Sequence, residues 1–257
     1  MGRWGYRRST VAASRVSWPT TNPNLAKPGL FEGDQDLDLA ADLGCTFGSG
    51  DDELHFSQTV YQNDIVASPE AKESYKTAEY ATELDAVVAS IRQRLDTDNL
   101  GDRLFAMYRA KENEYGGKYR VIVVGAVMMR VGAKIRDADL QHLRDLVPQI
   151  NCNEGRAPPL NDYGFRGPGK RQFLAALDAY QPGTPRSFAE PSCFACGKTE
   201  PDIGKALLKC SRCQMAFYCD KVSQAPRPRP PLIHLLLTLP CPGLPAGSLA
   251  GPQADVQ

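Results

Sequence analysis

Long apolar runs, histidines and an excess of either charge are what this 257-residue chain has little of. No apolar run reaches the roughly eighteen residues that a membrane-spanning helix needs, so no span is expected. Its Lys and Arg total of 30 equals its Asp and Glu total of 30, which argues against a general binder of nucleic acid or of anionic membranes. Only three histidines occur. His55 and His142 sit in no nucleophile or metalloprotease motif, so nothing in the body assembles a catalytic constellation. No secretory signal sequence is apparent, and the cysteines cluster instead of spreading as a disulfide framework. Both features point to reducing surroundings, the nucleus or the cytoplasm.

Balanced overall charge hides a local polarity. Residues 1–30 carry Arg3, Arg7, Arg8, Arg15 and Lys27 with no acid, and read as a disordered basic tail. A mitochondrial leader shares that composition and is the minority reading, because Pro19, Pro23 and Pro28 oppose a long helix. Residues 31–54 invert the sign, with Glu32, Asp34, Asp36, Asp38, Asp42, Asp51, Asp52 and Glu53. This stretch reads as a solvated acidic loop with room for one helical turn, and it lacks the spacing of an EF-hand calcium loop.

Residues 55–181 predict a helical domain, which makes the fold class mainly α. A long helix is expected from Ser68, with Pro69 at its first position and Glu70 at its positive end. Tyr75, Ala78, Ala81, Leu84, Val87, Val88, Ile91 and Leu95 then recur mostly every three or four residues, marking one buried stripe. Asp96–Gly101 stops it, and a second helix is expected over about 102–113. The apolar text of 119–135 is long for a strand, and its second half prefers helix, so it reads as a buried central helix. Further helices are expected at 138–148, with Asp137 as cap, and at 170–180. Between them, 149–168 is a loop. Its Gly164–Lys170 text superficially resembles a phosphate loop, but Arg171 stands where a magnesium-binding hydroxyl belongs and Pro168 removes an amide donor. Residues 182–191 read as a linker, and Cys45 and Cys152 as isolated, inert thiols.

What the chain does have is a dense cysteine text. Cys193-Phe-Ala-Cys196 is followed after thirteen residues by Cys210-Ser-Arg-Cys213, and after five more by Cys219. Five of the eight cysteines fall here. Two residues between cysteines let a tight turn aim both sulfurs at one ion, and thiolates suit zinc, which is borderline soft and redox-inert. Cys193, Cys196, Cys210, Cys213 and Cys219 are therefore the candidate metal ligands.

The text from Leu208 to Cys219, with its Phe217-Tyr218 pair before the fifth cysteine, resembles the MYND-type zinc finger over residues 192–224. The helical body is similar, with less definition, to a fungal family of MYND-finger proteins of undefined function. The resemblance implies a cross-braced module with two zinc ions, Cys193, Cys196 and Cys219 serving the first and Cys210 and Cys213 the second. The sixth ligand position holds Ser223, Gln224 still matches, and Ala225–Pro231 replaces the helix that would bring the last ligands. His234 and Cys241 are wrongly spaced to stand in for them. One zinc is thus expected in this form more than two. Either Cys193, Cys196 and Cys219 hold it with water or another donor, or Cys193, Cys196, Cys210 and Cys213 form a rearranged site. A third outcome is a remnant with free thiols. Residues 225–257, with eight prolines, read as a disordered tail joined to the finger in mid-motif, or as a ligand for a groove that binds proline-rich segments.

The resemblance implies a non-catalytic, zinc-binding adaptor or co-regulator that takes a protein or peptide partner, proline-rich ones included. The enzymatic alternative is a methyltransferase of the kind that such fingers accompany, and its cofactor motif is missing from the text. Nucleic-acid binding is not expected. Lys198, Lys205, Lys209, Arg212 and Lys221 surround the knuckles without a groove-reading helix.

Overall fold

The computed structural model describes residues 29–31, 33–47, 54–60, 73–153, 163–211, 214 and 216–220. The basic tail up to residue 28, the expected helix start at Ser68, Cys213, Ser223 and the proline-rich 225–257 lie outside the described residues. Among the described residues the chain is mainly helical. Its α-helices are α1 (Asp34–Gly44), α2 (Phe56–Val60), α3 (Ala78–Asp96), α4 (Leu100–Ala110), α5 (Gly117–Val131), α6 (Asp137–Leu146), α7 (Gly169–Ala179) and α8 (Glu200–Ile203). Two-residue strands are few: β1 (Cys152–Asn153) runs parallel to β2 (Phe165–Arg166), and β3 (Leu208–Lys209) runs antiparallel to β4 (Phe217–Tyr218). None of these helices is long and apolar enough to cross a membrane.

Helix α5 is the axis of the body. Apart from Lys118, Arg120 and Arg130 it is apolar, as a helix enclosed by others must be. Tyr119, Val121 to Val124, Ala126 to Met129 and Val131 are all buried. Helices α1, α2, α3, α4, α6 and α7 pack around it. The long helix α3 behaves differently at its two ends. Val88, Ile91 and Leu95 are buried, whereas Tyr75, placed in the buried stripe by its spacing, is 41% exposed and precedes the helix. The described helix starts at Ala78, where Thr77 caps it by accepting the N–H of Tyr80 at 3.2 Å.

Two expectations need correction. Residues 31–54 are not simply an acidic loop, because eleven of them form α1. Leu39, Ala40 and Leu43 give it a buried face. Asp36, only 1% exposed, is held there by Tyr119, whose hydroxyl donates to Oδ1 at 2.7 Å. Its Oδ2 accepts the N–H of Phe31 at 3.1 Å. A buried carboxylate survives when its oxygens are hydrogen-bonded. The segment before the helix is equally enclosed, with Leu30 and Phe31 at 1% exposure.

Residues 182–191 are likewise not a free linker. The N–H of Gly183 donates to the Gly132 carbonyl at 2.8 Å, and that of Arg186 to the Met129 carbonyl at 3.0 Å. The Gly132 carbonyl lies just beyond the C-terminal end of α5 and takes its donor from this segment, while the Met129 carbonyl, which already accepts the Gly132 N–H at 3.1 Å, gains a second one. Arg92 donates to the Gly183 carbonyl at 2.8 Å. Phe188 is buried edge-on against Phe31, with ring centroids 5.5 Å apart. The chain therefore reaches the cysteines along a fixed path.

Candidate metal centre

The first knuckle is built by the backbone. The N–H of Gly197 donates to the Cys193 carbonyl at 2.7 Å, closing the turn, and the N–H of Cys193 donates to the Lys198 carbonyl at 2.8 Å. Strand β4 comes alongside. Phe194 donates its N–H to the Phe217 carbonyl at 2.8 Å, and Cys193 bridges Phe217 in parallel fashion. This pairing delivers Cys219, just past β4, to the first knuckle. The sulfurs of Cys193, Cys196 and Cys219 lie within 4.8 Å of one another. Cys196 and Cys219 are 3.9 Å apart. A tetrahedral zinc with Zn–S bonds of about 2.3 Å separates its sulfurs by about 3.8 Å, so the three thiols fit the ion.

Cys210 begins a second, similar turn. Its N–H donates to the Ala216 carbonyl at 2.8 Å, and the N–H of Gln214 returns to the Cys210 carbonyl at 2.9 Å. Cys210 is buried with Ala216 and Tyr218, against which Phe194 packs. It does not belong to the three-thiol cluster; among the described residues Cys219 stands with the first knuckle in its place. Cys213, its knuckle partner, is outside the described residues.

The thiols are electrostatically unequal. Burial pushes the Cys193 thiol up, but the backbone N–H groups of Cys219, Cys196 and Ala195 point at its sulfur, and the net effect is a lowered pKa. Burial, with Cys193 beside it, pushes Cys196 up to about 11. A divalent ion stabilises thiolates far beyond what the amides do, so metal would displace the proton that Cys196 retains at neutral pH.

Signals beyond the cysteine spacing tie this centre to the helical body. Gly197 adopts φ +78° and presses on α7; a Cβ there would lie 2.1 Å from the Arg171 carbonyl oxygen. The Arg171 guanidinium sits 5.2 Å from the centroid of the Phe194 ring. Gln172, 8% exposed, accepts the Leu30 N–H at 2.9 Å and donates to the Ser192 hydroxyl at 3.0 Å, one residue before Cys193. Arg186 forms a two-pronged pair with Asp202 at 2.5 and 2.7 Å. Burial pushes the Asp202 carboxyl up, but Arg186 and the Thr199 N–H and hydroxyl outweigh it and hold its pKa below the ordinary value. The same carboxylate accepts the Thr199 N–H at 2.7 Å and so caps α8. None of Arg171, Gln172 or Arg186 has a sequence motif to announce it; Asp202 does, as the last residue of the capping-box text Thr199-Glu-Pro-Asp202.

Gly169 opens α7, but its amide end is packed against Leu30, with a built Cβ only 3.1 Å from the Leu30 nitrogen. His142 is half-buried and pairs with Glu112 at 2.7 Å. Cys152 directs its thiol at the Gly167 carbonyl, 3.7 Å away. None of the three belongs to the sulfur cluster.

No curated protein and no solved structure matches the chain. Residues 193–226 match the family model of the MYND finger, reaching two residues beyond Gln224, where the resemblance was expected to end. MYND fingers bind zinc and are, in general, non-catalytic protein–protein interaction modules. The three thiols gathered by the first knuckle and β4, within a segment matched by that family model, identify the C-terminal part of this chain as a partial MYND finger.

Proposed function

We propose that this protein is a zinc-dependent adaptor or co-regulator whose finger presents a peptide-binding surface held in place by the helical body. The observation that carries the reading is the set of three sulfurs within 4.8 Å in the segment that matches the MYND finger. The zinc is structural: it is ligated by Cys193, Cys196 and Cys219, and one ion is held per chain. Its work is to fix β4 and the first knuckle relative to each other. The partner is a protein segment, proline-rich by preference. The accessible part of the finger supports this, with Leu208 39% exposed on β3 opposite Tyr218 of β4, and Phe194 half-buried against the Tyr218 ring. Flat aromatic and aliphatic surfaces of this kind suit the preformed polyproline conformation, which loses little entropy on docking. The chain acts in the nucleus or cytoplasm, where its thiols stay reduced and available to metal.

The test is capture of immobilised proline-rich peptides by the zinc-loaded full chain. Retention that disappears with Cys193→Ser supports the proposal. Failure of both this chain and a version with Ser223→Cys and a completed finger would count against it.

A further inference from the structure

Helix α3 carries its apolar stripe past the edge of the body. From Leu84 onward the stripe belongs to the core: Leu84 and Val87 pack against it, and Val88, Ile91 and Leu95 are buried. Upstream, Ala81 on the same face is exposed, and Tyr75 tilts against the half-buried Tyr80 with ring centroids 5.0 Å apart. Exposed acids flank this aromatic pair. Glu79 and Glu83 stand one turn apart, with Glu73 and Asp85 beyond them, and the one base of this stretch, Lys76, is paired to Glu73 at 2.6 Å. We propose that this face is the docking site of the chain's own basic segment, Arg3-Trp-Gly-Tyr-Arg-Arg8, held in cis with its arginines on Glu79 and Glu83 and Trp4 on the tyrosine pair.

Charge and chemistry both match. Residues 1–28 carry five bases and no acid, together with both tryptophans of the chain, Trp4 and Trp18. Three arginines and two aromatic rings fall within residues 3–8. A guanidinium stacks on a tyrosine face and pairs with a carboxylate through the same planar group, so arginine suits a surface that offers both. The segment also leaves the body at a suitable place. Leu30 is tied to Gln172, and Phe31 packs against Phe188. Glu190, two residues past Phe188, and Asp85 of α3 both act on the charge of Arg130 in the last turn of α5, so the anchor and the exposed part of α3 are neighbours on the body. The chain between Gly29 and Arg8 can extend to about 70 Å, against a radius of gyration of about 15 Å for a domain of this size. A second copy of the chain is the poorer occupant, since a twofold contact through this face sets Glu79 and Glu83 against their own counterparts.

Because the tryptophans lie in the docking segment, the segment reports on itself. With Trp18→Phe, Trp4 is the one tryptophan left in the full chain. Its quenching by acrylamide at low salt is expected to be on the order of threefold weaker than in a free peptide of residues 1–10, and to reach the peptide's value at about 0.5 M salt, where the screening length is about 4 Å. Glu79→Lys with Glu83→Lys, both at exposed helix positions, is expected to give the peptide's value at low salt, with the helical circular dichroism unchanged. Adding Arg7→Glu and Arg8→Glu to that double variant is expected to restore the protection. A Trp4 as accessible as in the peptide overturns the proposal. So does protection that survives the charge reversal on α3, or a full swap of charges without recovery. Protection that fades on dilution gives the face to a second copy and overturns the assignment in cis.

Discussion

Replacing Gly197 by alanine isolates what the docking of the finger against the helical body contributes. Two costs arise. Gly197 has φ +78°, a left-handed conformation in which a side chain costs about 1–2 kcal/mol. The new Cβ would also stand 2.1 Å from the Arg171 carbonyl oxygen, 2.2 Å from its carbon and 2.5 Å from the Gln172 nitrogen. These are helix backbone atoms of α7 and cannot rotate aside, so the knuckle must lift. Forced repacking of this kind typically adds about 1–3 kcal/mol. The internal control is Gly204→Ala. Gly204 has φ +64° and nothing within 4 Å of its built Cβ, so it incurs the conformational cost alone. Urea unfolding of the full chain, with amide hydrogen exchange at Cys193 and Phe194, reads the difference. Gly197→Ala is expected to be less stable than Gly204→Ala by about 1–3 kcal/mol, with exchange accelerated in the knuckle but not in α5. Equal destabilisation by the two substitutions would refute the idea that the knuckle is seated on α7.

Two other perturbations address separate contacts. Asp202 has a pKa lowered in the folded chain, so its pairing with Arg186 contributes stability above the unfolded aspartate value of about 3.9, lost as pH falls through the lower folded value. Asp202→Asn is accordingly expected to destabilise at pH 7 and to flatten the acid limb of a stability–pH curve; an unchanged acid limb would show that the pair contributes nothing. Tyr119→Phe removes the hydroxyl donor to the buried Asp36 carboxylate, and an under-satisfied buried charge is expected to cost about 1–3 kcal/mol in thermal or urea unfolding. A change below 0.5 kcal/mol, the ordinary scatter of neutral substitutions, would show that Asp36 is held by other groups.

The parts of this fold that were legible in the sequence are those set by local text. Helix α5 declared itself because its text is apolar apart from Lys118, Arg120 and Arg130, and the first knuckle because two cysteines with two residues between them can aim both sulfurs at one ion. Helix α1 did not. Its acids look solvated until Tyr119, 83 residues away, is seen to bind Asp36. The segment 182–191 has the proline-rich composition of a linker, yet Gly183 and Arg186 give their N–H groups to the Gly132 and Met129 carbonyls. Such long-range pairings leave no periodicity behind. At the metal centre, cysteine spacing named candidate ligands, and the alternatives it left open differed in which cysteine joins the first knuckle. The pairing of β4 with Cys193 and Phe194 brings Cys219 there.

The most direct test is the zinc content of the native full chain by mass spectrometry under non-denaturing conditions, repeated on Cys193→Ser and on Cys45→Ser as a control outside the cluster. One zinc per chain, retained in Cys45→Ser and lost in Cys193→Ser, is the expected result. A chain without zinc, or one whose zinc survives the loss of the Cys193 sulfur, would contradict a metal centre built on Cys193, Cys196 and Cys219.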